Sequence, residues 1–402
     1  MTEYIQTYFD SNLQNLESDL HKLSFDIIDD VSSSHQLQEI KKTYKNELIQ
    51  NLPEKTSDIL YYCDRYLDQW FNKSLHTIME LHKKRPHIIE TMEQLKQLQL
   101  PDQRSKEWYA IRENLLTASS LADALGKGHF QTRDDLLVSK TETVKQEISK
   151  ASQAIMEWGV KYEPVATMFY EHLYNVSIVE FGLIPHPQLS VFGASPDGIC
   201  DIGSANNYGG RMLEIKCPPK RKFTKEVPKH YWMQMQGQLE VCDLEECDFL
   251  QVKLEEYSSV KSYEEDIYND DGIQHGYTRD KLPKGLVLEY NNGDSFTYEY
   301  SPWLASLDEI INWKQDKMKP NCVERWWKIT RYECTLVRRD KEWWLSVVPD
   351  IIQFWKDVVH YRNVGNEEVK KKIQGRKRGP RKKVFTIPAP IKGYLLDSDE
   401  ES

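Results

Sequence analysis

No two cysteines in this 402-residue sequence form a Cys-x-x-Cys pair, and none falls at a zinc or iron–sulfur spacing. The seven present are Cys63, Cys200, Cys217, Cys242, Cys247, Cys322 and Cys334. Their scatter and odd number exclude a disulfide-stapled fold and fit a reducing compartment. No apolar run approaches the roughly 20 residues that a bilayer span requires, so no membrane partner is expected. The first residues, MTEYIQTYFDSNLQNL, are acidic and polar and do not read as a targeting segment. The expectation is an intracellular, non-secreted protein. Glycine is absent from the first 98 residues, and no internal repeat is found.

What the sequence does contain is globular. Hydrophobic residues make up 39% and aromatics 11%, enough for a sizeable core, and the length allows two or three domains. The formal net charge is −10, which argues against a chain coated in nucleic acid, but its distribution is uneven. Residues 361–384 carry ten Lys or Arg against two Glu, a local +8 that leaves −18 elsewhere.

Residues 1–98 read as a helical accessory domain, with apolar residues at three- and four-residue steps such as Ile59, Cys63, Tyr66, Leu67 and Trp70. Residues 99–362 carry mixed signals. SKEWYAIRENLL and TASSLADALGKG read as helices, and residues 150–174 as one strong helix. VSIVEFGLI, LSVFGA, RMLEIKC and CDFLQVKLEEY read as strands. KHYWMQMQGQLEVC, between the last two, reads as a helix. A hairpin turns at Asn292-Gly293, and Trp-rich helices are expected around 303–317 and 340–362. Residues 363–402 have the composition of a flexible tail, basic and then acidic. The fold class is therefore α/β or α+β, a central mixed sheet flanked by helices.

The chemistry concentrates at Glu214-Ile215-Lys216. Side chains two apart on a strand share a face, so Ile215 points to the core and the charged pair points the other way. Asp197 lies upstream in a Ser-Pro-Asp-Gly turn that can fold back beside Glu214. Two facing carboxylates repel unless neutralised, and a hard divalent cation such as Mg²⁺ does this with oxygen ligands. A lysine beside such a metal can orient or deprotonate water, or stabilise charge on phosphate. Taken alone, Glu-x-Lys is more often an exposed charge pair and Pro-Asp-Gly an ordinary turn. Asp, a spacer and Glu-x-Lys in this order is the pattern of metal-dependent phosphodiester hydrolysis.

Further residues extend it. Glu163 follows Gly159 by four on the long helix, where a carboxylate can serve a metal or simply face solvent. Gln234 and Gln238 share a helix face, whereas Gln236 lies about 200° from each, so all three cannot serve one site. Arg112 and Ser119 flank a helix start, where free backbone N–H groups and a guanidinium favour phosphate, although ordinary capping explains them too.

WYAIRENLLTAS, GVKYEPVA, GASPDGI, LEIKCP and YWMQMQ, in that order, resemble the YqaJ-type viral recombinases. That family includes the phage lambda exonuclease and belongs to the PD-(D/E)XK, restriction-endonuclease-like superfamily. The resemblance covers about residues 104–256 and is specific through the order of its five motifs. It implies a 5′→3′ exonuclease on double-stranded DNA ends, working in viral recombination or replication with two Mg²⁺ ions, for which Mn²⁺ can substitute. It implies Asp197, Glu214, Glu163 and the Ile215 carbonyl as metal ligands and Lys216 as the residue that handles water. It matches Gln236 to a glutamine of the site, with Gln234 as fallback. Arg112, Thr117, Ser119 and Ser195 match a pocket for the 5′-terminal phosphate. It further implies a large double-stranded DNA virus as source, the host cytoplasm or nucleus as location, a single-strand annealing protein as partner and a trimer as assembly.

Two rival functions keep the same residues: an endonuclease cutting at branches or specific sites, and a non-catalytic DNA-end-binding scaffold. GRKRGPRKK in the tail reads as a solvated charged segment, a DNA arm or a nuclear-localisation signal. Trp326-Trp327 and Trp343-Trp344 read as core, or as platforms for unpaired bases.

Overall fold

The computed structural model describes residues 84–378 apart from the loop positions 102–104, 143–148, 204–207, 221–222, 224–225, 270–272, 275 and 294, together with residues 42, 46 and 50. Most of the expected amino-terminal helical domain and the end of the tail lie outside these residues.

The described chain opens with helix α1 (residues 84–97) and α2 (Lys106–Glu113). Strand β1 (Leu116–Thr117) leads through a 3-10 turn, Ala118–Ser120, into the short α3 (Leu121–Ala124). Next come α4 (Arg133–Thr141) and the 25-residue α5 (Lys150–Tyr174). Ser149 caps α5, and Asn175, with φ +52°, ends it in the left-handed conformation that asparagine tolerates. On α5, Tyr162, Val165, Ala166, Phe169 and Tyr170 are buried, the spacing of one helical face.

Five strands follow: β2 (Ile178–Val179), β3 (Ile184–Pro185), β4 (Phe192–Ala194), β5 (Gly198–Cys200) and β6 (Met212–Lys216). Helix α6 (Lys229–Cys242) then crosses over to β7 (Glu246–Glu256), which pairs parallel with β6. A parallel pair needs such a crossover, because a tight turn reverses chain direction. A helical turn, α7 (Val260–Glu265), and the small ribbon of β8 (Tyr268–Asn269) and β9 (Ile273–Gln274) precede the hairpin of β10 (Lys284–Asn291) and β11 (Phe296–Tyr300). The chain continues through α8 (Leu307–Lys317), β12 (Cys322–Arg338), α9 (Lys341–Val364) and α10 (Glu367–Arg378).

Seven strands form the central mixed sheet in the order β11-β10-β12-β7-β6-β5-β2. A three-stranded sheet, β1-β4-β3, stands beside it. The period-two alternation of β6 separates two cores. Leu213 and Ile215 pack with α5, while Met212 packs with Phe249, α6 and α9. Glu214 therefore points towards α6 inside the protein.

Three expectations change. Helix α1, expected within an accessory domain, packs into the core beside the sheet: Met92 and Leu95 are buried there, and Lys84, His87 and Lys96 pair with Glu245, Asp243 and Asp201 at 2.6, 2.7 and 2.5 Å. β12, 17 residues long, fills a stretch that carried no expected element. Its Trp326 and Trp327 point to opposite faces, and both are buried; Trp344 is buried on α9. These three are core, and Trp343 is partly buried against it. Finally, residues 367–378 of the expected tail are a helix docked on α4. Lys372 and Arg376 pair with buried Asp134 at 2.9 and 2.8 Å, and Val369 enters the core.

Candidate active site

β5 and β6 run antiparallel, with Gly198 opposite Leu213. Asp197, one residue before β5, thus lies at the end of β6. Its carboxylate accepts a hydrogen bond from the Ile215 backbone N–H at 2.6 Å. Gly198 is required by the close approach of β2: a Cβ there would stand 2.3 Å from Ile178 Cγ2.

Glu214 is fully buried. Its carboxylate accepts from the Lys216 ammonium, from Gln234 Nε2 at 2.7 Å and from Gln238 Nε2 at 2.7 Å. The Lys216 ammonium also donates to the Ile215 carbonyl at 3.0 Å and lies 5.2 Å from the Tyr231 ring centre. Burial pushes the Asp197 carboxyl well above the usual range, and the charges of Glu214 and Glu163 push it further; Lys216 opposes them. Burial alone would lower the Lys216 pKa, but Glu214 and Asp197 raise it beyond its ordinary value. Glu163 reaches this field from α5, on the other side of the sheet.

Gln236 is not part of this cluster. Its amide donates to the Arg338 carbonyl at 2.8 Å and accepts from the Asp340 N–H at 2.6 Å, which ties α6 to the junction of β12 and α9. The glutamines that meet the site are Gln234 and Gln238, one helical turn apart. The 3.6-residue repeat carried that signal, and only the motif match pointed to Gln236.

The donor set suits a hard cation. Two carboxylates and the Ile215 carbonyl are oxygen ligands, and the buried Gln238 Oε1 has no hydrogen-bond partner in the structure. Among the described residues no group of three His, Cys, Asp or Glu side chains is placed to hold a metal ion, so Glu163 does not join Asp197 and Glu214 in such a group.

The second group of candidates also assembles. Arg112 Nη2 donates to Ser119 Oγ at 3.0 Å, and Thr117 and Ser119 share a hydroxyl–hydroxyl bond of 3.1 Å. The Arg112 guanidinium lies 4.8 Å from the Trp108 ring centre. Trp108 Nε1 donates to Ser195 Oγ at 3.3 Å, and the Ser195 carbonyl accepts from Gln238 at 3.4 Å. Ser195 thereby links the two clusters. Sequence reasoning missed Lys140 and Arg362. The Lys140 ammonium donates to the Arg112 and Leu115 carbonyls, both at 2.7 Å. Burial and the neighbouring Arg112 and Arg362 push its pKa down to about 8.

Comparison with known proteins finds a family match within the chain. Residues 107–245 match the YqaJ-like viral recombinase domain. The chain carries a YqaJ-like viral recombinase domain. The match falls within the stretch expected from the five motifs. Similar curated proteins are viral: an uncharacterised protein of Acanthamoeba polyphaga mimivirus is 28% identical over 323 residues, covering 70% of this chain and 57% of that protein. A protein of African swine fever virus is 27% identical over 161 residues, covering 35% of this chain and 46% of its own length. The chain thus spans about half the length of the curated relatives it matches. Among solved structures, an alkaline exonuclease from Laribacter hongkongensis is 22% identical with a TM-score of 0.38, covering 68% of this chain and all of that one. A phage-related exonuclease from Haemophilus somnus is 10% identical with a TM-score of 0.33, covering 64% and 96%. No helix among the described residues is long and apolar enough to cross a membrane.

Proposed function

We propose that this chain is a metal-dependent exodeoxyribonuclease that degrades double-stranded DNA from its ends, in the 5′→3′ direction, during viral recombination or replication. The observation that carries the reading is the junction of β5 and β6, where Asp197, the buried Glu214 and Lys216 meet around the Ile215 backbone. The YqaJ-like domain supports the substrate class.

Asp197, Glu214 and the Ile215 carbonyl would hold Mg²⁺, with Glu163 acting from α5 through water; Mn²⁺ has the same preference for oxygen. Bound there, a pair of such ions would polarise the phosphoryl group, lower the pKa of the attacking water and stabilise the leaving oxygen. Gln234 and Gln238 fix the Glu214 carboxylate, so its oxygens do not reorganise when charge develops. Lys216 spends N–H groups on Glu214 and on the Ile215 carbonyl, which leaves one for the attacking water or a phosphoryl oxygen.

Arg112, Thr117 and Ser119 would bind the 5′-terminal phosphate, a dianion that suits a guanidinium and hydroxyl donors. This pocket dictates the bond that breaks. Repeated cutting needs a new 5′-phosphate after each step, so water attacks phosphorus and the 3′-oxygen leaves. Ser195, joined to both clusters, sets the spacing between the anchored end and the cut bond. A single-strand annealing protein as partner, a trimeric assembly and work in the host cytoplasm or nucleus belong to the same proposal.

The competing reading is an endonuclease with the same site. Linear duplex and covalently closed circular DNA, each incubated with Mg²⁺, separate the two. The linear form is expected to be digested while the circle stays closed; prompt linearisation of the circle would sink the exonuclease reading.

A further inference from the structure

Phe130 is the most exposed large apolar side chain among the described residues, at 79%. A lone exposed apolar residue needs no explanation. This one is held in place. Helix α3 closes with Lys127 N–H bonded to the Ala122 carbonyl at 2.8 Å and Gly126 N–H bonded to the Asp123 carbonyl at 2.9 Å. Gly126 adopts φ +69°, the left-handed turn that ends such a helix. Gly128 packs so closely that an added Cβ would lie 1.9 Å from Asp123 Oδ1. The Asp123 carboxylate in turn accepts from Gln131 Nε2 at 2.8 Å. The loop that carries Phe130 is therefore braced from both sides.

Behind Phe130 stands a stack. The His129 and His230 rings lie 5.1 Å apart and nearly parallel, at 10°. Phe130 meets both edge-on, at 4.9 and 5.7 Å. His230 packs on Tyr231 at 4.1 Å, and Tyr231 lies 5.2 Å from Lys216 Nζ. Ring contacts of 5.7, 4.1 and 5.2 Å cap the distance from Phe130 to the Lys216 ammonium at about 15 Å. With one charge per strand about every 3.4 Å of duplex axis, that is at most about four base pairs. Lys127 and Lys229, close in sequence to His129 and His230, are exposed cations.

We propose that Phe130, backed by His129 and His230, is a stacking platform for a nucleobase close to the cut phosphate. An aromatic ring exposed to water, held in a braced loop and with exposed lysines close to it in sequence suits a DNA base on its charged backbone, and every base has a face to offer. The platform positions the strand and takes no part in bond breaking. The inference rests on the exonuclease reading and adds a residue to its substrate path.

The test uses the full chain carrying Lys216→Ala, so that bound DNA survives, and duplex DNA with 5-iodouracil at each of the first five positions from the 5′ end. Irradiation is expected to cross-link one of these positions to Phe130, located by mass spectrometry. Phe130→Ala is expected to weaken end binding by about fivefold or more, and in the otherwise wild-type enzyme to raise KM with little change in kcat. Phe130→Trp is expected to restore affinity, and thermal unfolding is expected to stay unchanged because the ring is exposed. Wild-type digestion with equal affinity for Phe130→Ala and no cross-link at Phe130 overturns the platform and leaves the nuclease standing. A wild type that neither binds nor digests DNA ends overturns both. Loss of affinity that Phe130→Trp does not restore also overturns it, since stacking tolerates any aromatic.

Discussion

The Glu214 side chain is fully buried, and three donors hold its carboxylate. Such a group is costly unless it is paired and hydrogen-bonded. Lys216, Gln234 and Gln238 meet that condition, and a bound cation would complete it. The pair was legible in the sequence because the residues two apart on a strand share a face. That their face is interior was not legible, because it depends on α6 closing over β6. A different buried charge gives a pH test away from the site. Lys284 is buried at the start of β10, and its ammonium donates to the Tyr263 and Asp266 carbonyls, both at 2.6 Å. Burial lowers its pKa to about 8 from 10.5; Asp266 opposes this and Lys328 adds to it. Between those two values the unfolded chain binds more protons than the folded one, so stability rises with pH across the window. Urea unfolding at pH 8 and pH 10.5 should show wild type gaining up to about 3 kcal/mol relative to Lys284→Met. An equal response in the two proteins would refute the assignment.

Helix α6 performs two tasks on two faces. Gln234 and Gln238 turn to Glu214, while Gln236 turns away and fastens the junction of β12 and α9. The division predicts a division of phenotype. Gln236→Leu should cost about 1–3 kcal/mol in chemical unfolding, because it removes two hydrogen bonds, to the Arg338 carbonyl and from the Asp340 N–H, and turnover should stay near wild type. Gln238→Leu should cut turnover at least about tenfold, as loss of a residue that orients a metal ligand does. Reversed phenotypes would mean that the helix has been read in the wrong phase. The helix and most strands around the site were legible because Asn292-Gly293, Pro196-Asp197-Gly198 and the spacing of α5 are local signals. β12 was not, because Arg325, Lys328 and Arg331 give it the composition of a surface segment while its partners β10 and β7 lie far away in sequence. Residues 367–378 misled for the same reason. Their charge reads as a tail, and only Asp134, more than 230 residues earlier, makes a helix of them worthwhile.

At the scale of the molecule, an acidic chain binds a polyanion only through local fields. Arg112, Lys140 and Arg362 gather at one end of the candidate path, Lys216 stands at its centre, and Lys127 and Lys229 are exposed close in sequence to His129 and His230. The sheet holds these groups in register: β6 carries the carboxylate and the ammonium, β5 delivers Asp197, and α5 and α6 close the two faces. The proposed function assigns end-directed, metal-dependent DNA cleavage to this one cluster. Linear duplex labelled at either the 5′ or the 3′ end, incubated with wild type or Lys216→Ala and with Mg²⁺ or a chelator, tests it most directly. The prediction is early release of the 5′ label by wild type with Mg²⁺ alone, late release of the 3′ label, and no release by Lys216→Ala although it still binds the ends. Equal digestion by Lys216→Ala, or digestion that survives the chelator, would contradict it.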